Sequence, residues 1–177
     1  MKYSDLPHGK AALAIFPSVA GFGWALFEGP IAPVAWKVCY AAKASKGSAE
    51  KNRKCLAKAE HLIAKYRPAT LVLEAFEGRG TRRAGRIKEL CRSLISAAAM
   101  QGVEVRIITR TQIMACFASR NPKTREDVVG IVAEFVEELK SREPDKRSIW
   151  EGEDPNVAMF NAVALLIVHY ANPKEPL

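Results

Sequence analysis

The chain has 177 residues, 49% hydrophobic and 26% charged, the proportions of a single globular domain able to bury its own core. No apolar run reaches the roughly 18 to 20 residues of a membrane span, and the N-terminus lacks the layout of a secretory signal, so a soluble cytoplasmic protein is expected. The net charge of +8 is unevenly placed: residues 75–125 hold eleven basic side chains against three acidic ones, whereas residues 126–154 hold ten acids against four bases. Such segregation suggests a polyanionic partner such as nucleic acid; the alternative is a basic surface that serves only solubility.

Residues 1–10 read as an N-terminal extension, residues 11–171 as the domain and residues 172–177 as a tail. The domain opens with "KAALAIFPSVAGFGWALFEGP", two strands joined by a turn at Pro17 to Gly21. Apolar Ala12 to Phe16 form the first, alternating Phe22, Trp24 and Leu26 the second, and Gly29-Pro30 closes it. "PVAWKVCY" adds a third strand, completing a β-meander. Over residues 48–66, apolar Cys55, Leu56, Ala59, Leu62 and Ile63 recur at helical spacing until Arg67-Pro68. "ATLVLEAF" follows as a short apolar strand without polar alternation, as expected of a strand covered on both faces.

A second helix is predicted over residues 82–101, with Ile87, Leu90, Cys91, Leu94, Ile95 and Ala98 on one face and Gly102 just past its end. "VEVRIIT" is the next strand and "TQIMACFA" a short helix. "TREDVVGIVAEFVEELK" is a longer helix whose Thr124 to Asp127 spacing fits a capping box. After the polar loop "SREPDKRSIWEGED" the last helix starts at Asp154-Pro155, with Asp at N-cap and Pro at N1. The order βββ-α-β-α-β-α-α-α is that of an α/β protein with a mixed sheet, among which the RNase H-like fold is expected. Cys39, Cys55, Cys91 and Cys116 form no CxxC pair and read as reduced, buried thiols rather than metal ligands. Trp24, Trp36 and Phe22 read as core or sheet-face residues, and Trp150 as an exposed aromatic.

Three segments carry a resemblance. "ALAIFPSVAGFGWALF" resembles the opening strand, turn and strand of RuvC-type Holliday junction resolvases. "LVLEAF" resembles that family's second acidic strand, and "FNAVALLIVHYA" its C-terminal helix. The resemblance implies an RNase H-like fold of RuvC type, branched or duplex DNA as partner and a homodimer. It also implies hydrolysis of phosphodiesters by two divalent ions, Mg²⁺ or Mn²⁺, held by four carboxylates.

The residues depart from that pattern. Glu74 stands at the middle-strand acid position, but Phe16 stands where the first-strand Asp belongs, Asn161 where the main Asp of the last helix belongs, and Ala158 where its partner one turn earlier belongs. No carboxylate lies between Asp5 and Glu28 to replace the one missing at Phe16. Asp154 and Asn161 share a helix face but are about 10 Å apart along it. The degenerate candidate site is therefore Glu74, Asn161 and Asp154, with Glu74 and Asp154 as candidate metal ligands and Glu77 or Glu153 as neighbours able to join them.

Glu74 has two readings, a surviving metal ligand or a strand-end carboxylate paired with a downstream arginine. Arg79, Arg82, Arg83 and Arg86, with Arg110 and Lys123, are candidate phosphate contacts, because arginine matches phosphate through its bidentate fork. Arg106, Arg120 and Arg125 are expected to extend one basic face or to form surface salt bridges. His169, near the end of the last helix, is expected to favour the helix dipole. The preferred expectation is a RuvC-like nucleic-acid-binding protein whose metal-dependent cleavage is weak or lost, with no resident cofactor if cleavage is lost. The alternatives are an active divergent Mg²⁺-dependent endonuclease and a structural or accessory subunit that binds no nucleic acid.

Overall fold

The computed structural model describes residues 11–41, 46–78, 81, 83–145 and 153–171; the expected N-terminal extension, the tail and Trp150 lie outside them. Strands β1 (Ala12–Pro17), β2 (Gly21–Phe27) and β3 (Pro33–Tyr40) form the expected antiparallel meander. Helix α1 (Ser48–Tyr66) then crosses over to β4 (Thr70–Glu74), parallel to β1, and α2 (Gly85–Met100) crosses to β5 (Glu104–Ile108), parallel to β4. The strand order is β3-β2-β1-β4-β5, which puts β1 at the centre. Helices α3 (Arg110–Cys116), α4 (Arg125–Phe135) and α5 (Asn156–Ala171) complete the chain.

The helix ends follow their local chemistry. Arg67 takes a left-handed conformation (φ 43°) and donates its N–H to the Ile63 carbonyl, closing α1 in front of Pro68. Gly102 follows α2 at φ 69°, where a side chain would be strained. Thr124 caps α4 in a reciprocal box with Asp127, and Thr109 caps α3 in the same way with Gln112. The helix expected through Lys140 instead stops at Phe135. Val136 leaves helical geometry, and a 3₁₀ segment, Glu137–Arg142, lets Val136 and Leu139 both reach the core while Phe135 stays exposed.

The sheet is covered on both faces, as the apolar β4 segment implied. Leu13, Ile15, Leu71 and Leu73 point to α1 and α2, whereas Ala12, Ala14, Phe16 and Val72 point to α3, α4 and α5. Small residues matter on the second face because α5 lies across β2 and β1. A Cβ added at Gly23 would stand 2.1 Å from the Met159 nitrogen, so no side chain fits there. Phe22 and Trp24 are buried and Trp36 is half-buried, as expected of sheet-face residues. All four cysteines are free; Cys55 and Cys91 are buried, but Cys39 and Cys116 are only half-buried, because their strand edge and helix end are incompletely covered. No helix among the described residues is long and apolar enough to cross a membrane.

Candidate functional site

The register of β1 on β4 pairs Ala12 with Thr70 and Ala14 with Val72. Continued by two residues, it brings Phe16 level with Glu74 at the C-terminal ends of the two central parallel strands. The period of two turns both side chains toward α4 and α5, where Asn161 waits. Phe16, Glu74 and Asn161 are all buried, and Asn161 is the one polar residue among the buried residues of α5.

A carboxylate at that depth is costly unless it is paired and hydrogen-bonded. Glu74 is doubly paired. Arg125, the first residue of α4, donates from Nη1 to Oε2 and from Nη2 to Oε1, each at 3.0 Å, a bidentate grip. Arg83 donates from Nη2 to Oε2 as a second ion pair. Arg125 Nη1 also donates to Asn161 Oδ1 at 3.3 Å, and Asn161 Nδ2 donates to the Val157 carbonyl at 2.8 Å. Both guanidinium carbons lie over the Phe16 ring, Arg83 at 4.4 Å and Arg125 at 5.0 Å from its centroid, a cation–π arrangement. Ring, carboxylate, amide and two arginines thus form one assembly, and the paired-carboxylate reading of Glu74 describes it.

This donor set does not fit a pair of hard divalent ions. Such ions need several free oxygen ligands, whereas both Glu74 oxygens accept from guanidiniums, the Asn161 oxygen accepts from Arg125, and a benzyl ring occupies the first-strand position. Among the described residues no cluster of three or more His, Cys, Asp or Glu could hold a metal. Asp154 is engaged elsewhere: its Oδ1 accepts the Asn156 N–H at 2.8 Å and starts α5, as its N-cap position led one to expect.

Phe16, Glu74, Arg83 and Arg125 line an open cleft of about 430 Å³, whose rim includes Val19, Thr81, Arg110 and Glu153. A second cleft, about 1050 Å³, adjoins it at Arg125 and Glu153 and holds Asp154 and Lys123. Two of the arginines expected at phosphate serve the framework. Arg83 Nη1 donates to the Pro17 carbonyl at 3.2 Å, and Arg86 Nη2 donates to the Ser18 carbonyl at 2.6 Å. Lys51 donates to the Val19 carbonyl, so three successive carbonyls of the β1–β2 turn are held by basic side chains. Arg86 is further tied to Asn52 of α1, donating to its Oδ1 at 3.1 Å while Asn52 Nδ2 donates back to the Arg86 carbonyl at 3.0 Å. Arg110 is exposed on the cleft rim, and exposed Lys123 donates to Asn121 Oδ1 at 2.8 Å. Arg79 and Arg82 lie outside the described residues.

The expected single basic face is divided. Arg120 pairs with Glu134, and half-buried Arg106 donates to the His169 carbonyl at 2.9 Å and meets its Nδ1 at 3.1 Å. Burial, with Arg106 second, holds His169 below the usual imidazole range. The cation at the C-terminal end of α5 is therefore Arg106 and not His169. Arg125 is the residue whose role sequence reasoning missed. Its position beside the Thr124 cap was legible, but its partner lies 51 residues away; the only signal was a buried strand-end acid in need of a cation.

Comparison with known proteins supplies the fold. No protein-family model matches the chain, and no curated protein matches it in sequence. Among solved structures it is similar to Thermus thermophilus RuvC, at TM-score 0.66 and 17% identity over 92% of this chain and 96% of that one. It is equally similar to T. thermophilus RuvC in complex with Holliday junction substrate, at TM-score 0.65, 17% identity and the same coverage. The yeast mitochondrial Holliday junction resolvase matches at TM-score 0.56 and 13% identity, over 96% of this chain and 84% of that one. With its five-stranded mixed sheet and flanking helices, the chain has an α/β RNase H-like fold of the RuvC type.

Proposed function

We propose that this protein is a RuvC-like nucleic-acid-binding protein that holds DNA, branched or duplex, without hydrolysing it by two-metal chemistry. The observation that carries the reading is the double pairing of Glu74 with Arg83 and Arg125 against the Phe16 ring, at the strand ends where a metal-dependent nuclease needs free carboxylates. The binding half of the proposal is supported by the +8 charge of residues 75–125 and by the likeness to a RuvC solved with Holliday junction substrate.

The test uses labelled four-way-junction DNA with the purified protein and Mg²⁺ or Mn²⁺, read on native and denaturing gels, with Glu74→Ala alongside. Retention on the native gel without cleavage on the denaturing gel is the expected result. Cleavage that vanishes in Glu74→Ala would overturn the non-hydrolytic half, and absence of retention at low salt would overturn the binding half.

A further inference from the structure

We infer that the cleft above Glu74 seats a nucleic-acid backbone phosphate directly on arginine, with guanidinium groups standing in for divalent ions, so that its affinity is independent of metal. This inference rests on the nucleic-acid-binding reading and names the chemistry of the contact.

The charge of the cleft favours an anion. A four-carboxylate cleft repels phosphate until divalent ions neutralise it. Here one carboxylate, Glu74, is matched by two guanidiniums, and Arg110 and Glu153 also line the cleft. Among the described residues of the lining, three positive charges stand against two negative ones, a balance of +1 with no ion bound. The low-dielectric walls of the cleft strengthen that charge's pull on an anion.

The donors on the two arginines favour a phosphate as well. A guanidinium has five N–H groups. Arg125 gives two to Glu74 and one to Asn161, and Arg83 gives one to Glu74 and one to the Pro17 carbonyl. By that count Arg125 keeps two donors and Arg83 three beyond the contacts of the described residues. Both guanidiniums are held by the carboxylate and lie over the Phe16 ring, so little side-chain entropy remains to be lost when a phosphate arrives. Glu74 acts here as a positioning residue: it aims the arginines and, as a charge, works against the phosphate.

That last point gives a test with an unusual sign. Binding of a labelled four-way junction is measured by fluorescence anisotropy in EDTA, over a range of salt, for the wild type, Glu74→Gln and Arg110→Ala. Calorimetric titration of the wild-type protein with Mn²⁺ is run in parallel. Glu74→Gln raises the cleft charge by one and is expected to bind roughly two- to fivefold more tightly at low salt. Arg110→Ala, an exposed substitution that leaves the fold intact, is expected to bind several-fold more weakly and to lower the salt slope by about one.

Mn²⁺ is expected to give no binding heat. Saturable Mn²⁺ binding would overturn the inference, as would junction binding that neither Arg110→Ala weakens nor a folded Glu74→Gln strengthens. Where the wild type binds and those variants match it, the phosphate seat alone falls and the nucleic-acid reading stands. Failure of the wild type to bind the junction at low salt removes both.

Discussion

Arg125 holds both oxygens of Glu74, bringing the first residue of α4 onto the last residue of β4 and closing the end of the central sheet. The pair joins the two ends of the basic stretch, since Glu74 immediately precedes it and Arg125 is its last residue. Arg125→Met is expected to destabilise the protein by about 2 kcal/mol, because one guanidinium remains for a carboxylate that had two. Arg125→Lys is expected to lose about half as much, since an ammonium neutralises but cannot grip two oxygens. Urea unfolding midpoints check both, and a midpoint unchanged in Arg125→Met would mean that Arg83 alone suffices.

An acid placed at Phe16 is not expected to create a metal site. In Phe16→Asp the new carboxylate falls between Arg83 and Arg125, whose guanidinium carbons lie 4.4 and 5.0 Å from the present ring centroid, and ion-pairs with them. Loss of the buried ring costs about 3 kcal/mol at the same time. Calorimetry with Mn²⁺ on this variant should be featureless; a saturable isotherm would count against the guanidinium assignment.

Gly23 is a steric requirement of the fold. A methyl group there meets backbone atoms of Ala158 and Met159 at 2.1 to 2.5 Å, and a helix backbone cannot step aside as a side-chain tip can. Gly23→Ala is expected to cost about 3 kcal/mol through displacement of α5 from β2. Thermal unfolding within a degree or two of the wild type would contradict this packing.

His169 supplies a pH dependence. Its folded-state pKa is lowered, first by burial and then by Arg106, so the unfolded chain takes up a proton near pH ~6.5 while the folded chain stays neutral until a lower pH. Between those values the unfolded state binds more protons, and stability therefore falls as pH is lowered through this window. His169→Gln should flatten the melting temperature just below pH ~6.5 relative to the wild type. Parallel profiles for the two proteins would show that His169 does not titrate differently on folding.

The thiols are expected to divide by burial. Burial raises all four, Cys91 to about 11, which leaves little thiolate at neutral pH. Titration of the native protein with a disulfide reagent near pH ~8 should modify half-buried Cys39 and Cys116 slowly, and Cys55 and Cys91 only after denaturant is added. Rapid native reaction at Cys91 would mean that the α2 face opens to solvent.

The sequence by itself determined the elements and their order. Apolar alternation in Phe22, Trp24 and Leu26 marked β2, the unbroken apolar run before Glu74 marked a doubly covered strand, and Thr124 and Asp154 marked helix starts, because these signals act between residues a few positions apart. It also showed that Phe16, Ala158 and Asn161 are not carboxylates, where the resemblance implies them, since an absent residue type needs no coordinates. It did not determine that α4 ends at Phe135, where the demand to bury Val136 and Leu139 overrode helical continuity.

The fate of Glu74 was decided only by tertiary structure. Sequence pattern left its partner open among many arginines, and the parallel register of β1 on β4, together with the seat of α4 on α5, selected Arg83 and Arg125. The same packing assigned Arg86 to hold a turn and Arg106 to the end of α5, and left Arg110 at the cleft rim. Side chains of one type and charge became counter-ion, clamp or exposed rim residue because burial makes pairing compulsory at some positions, while solvent leaves it optional at others.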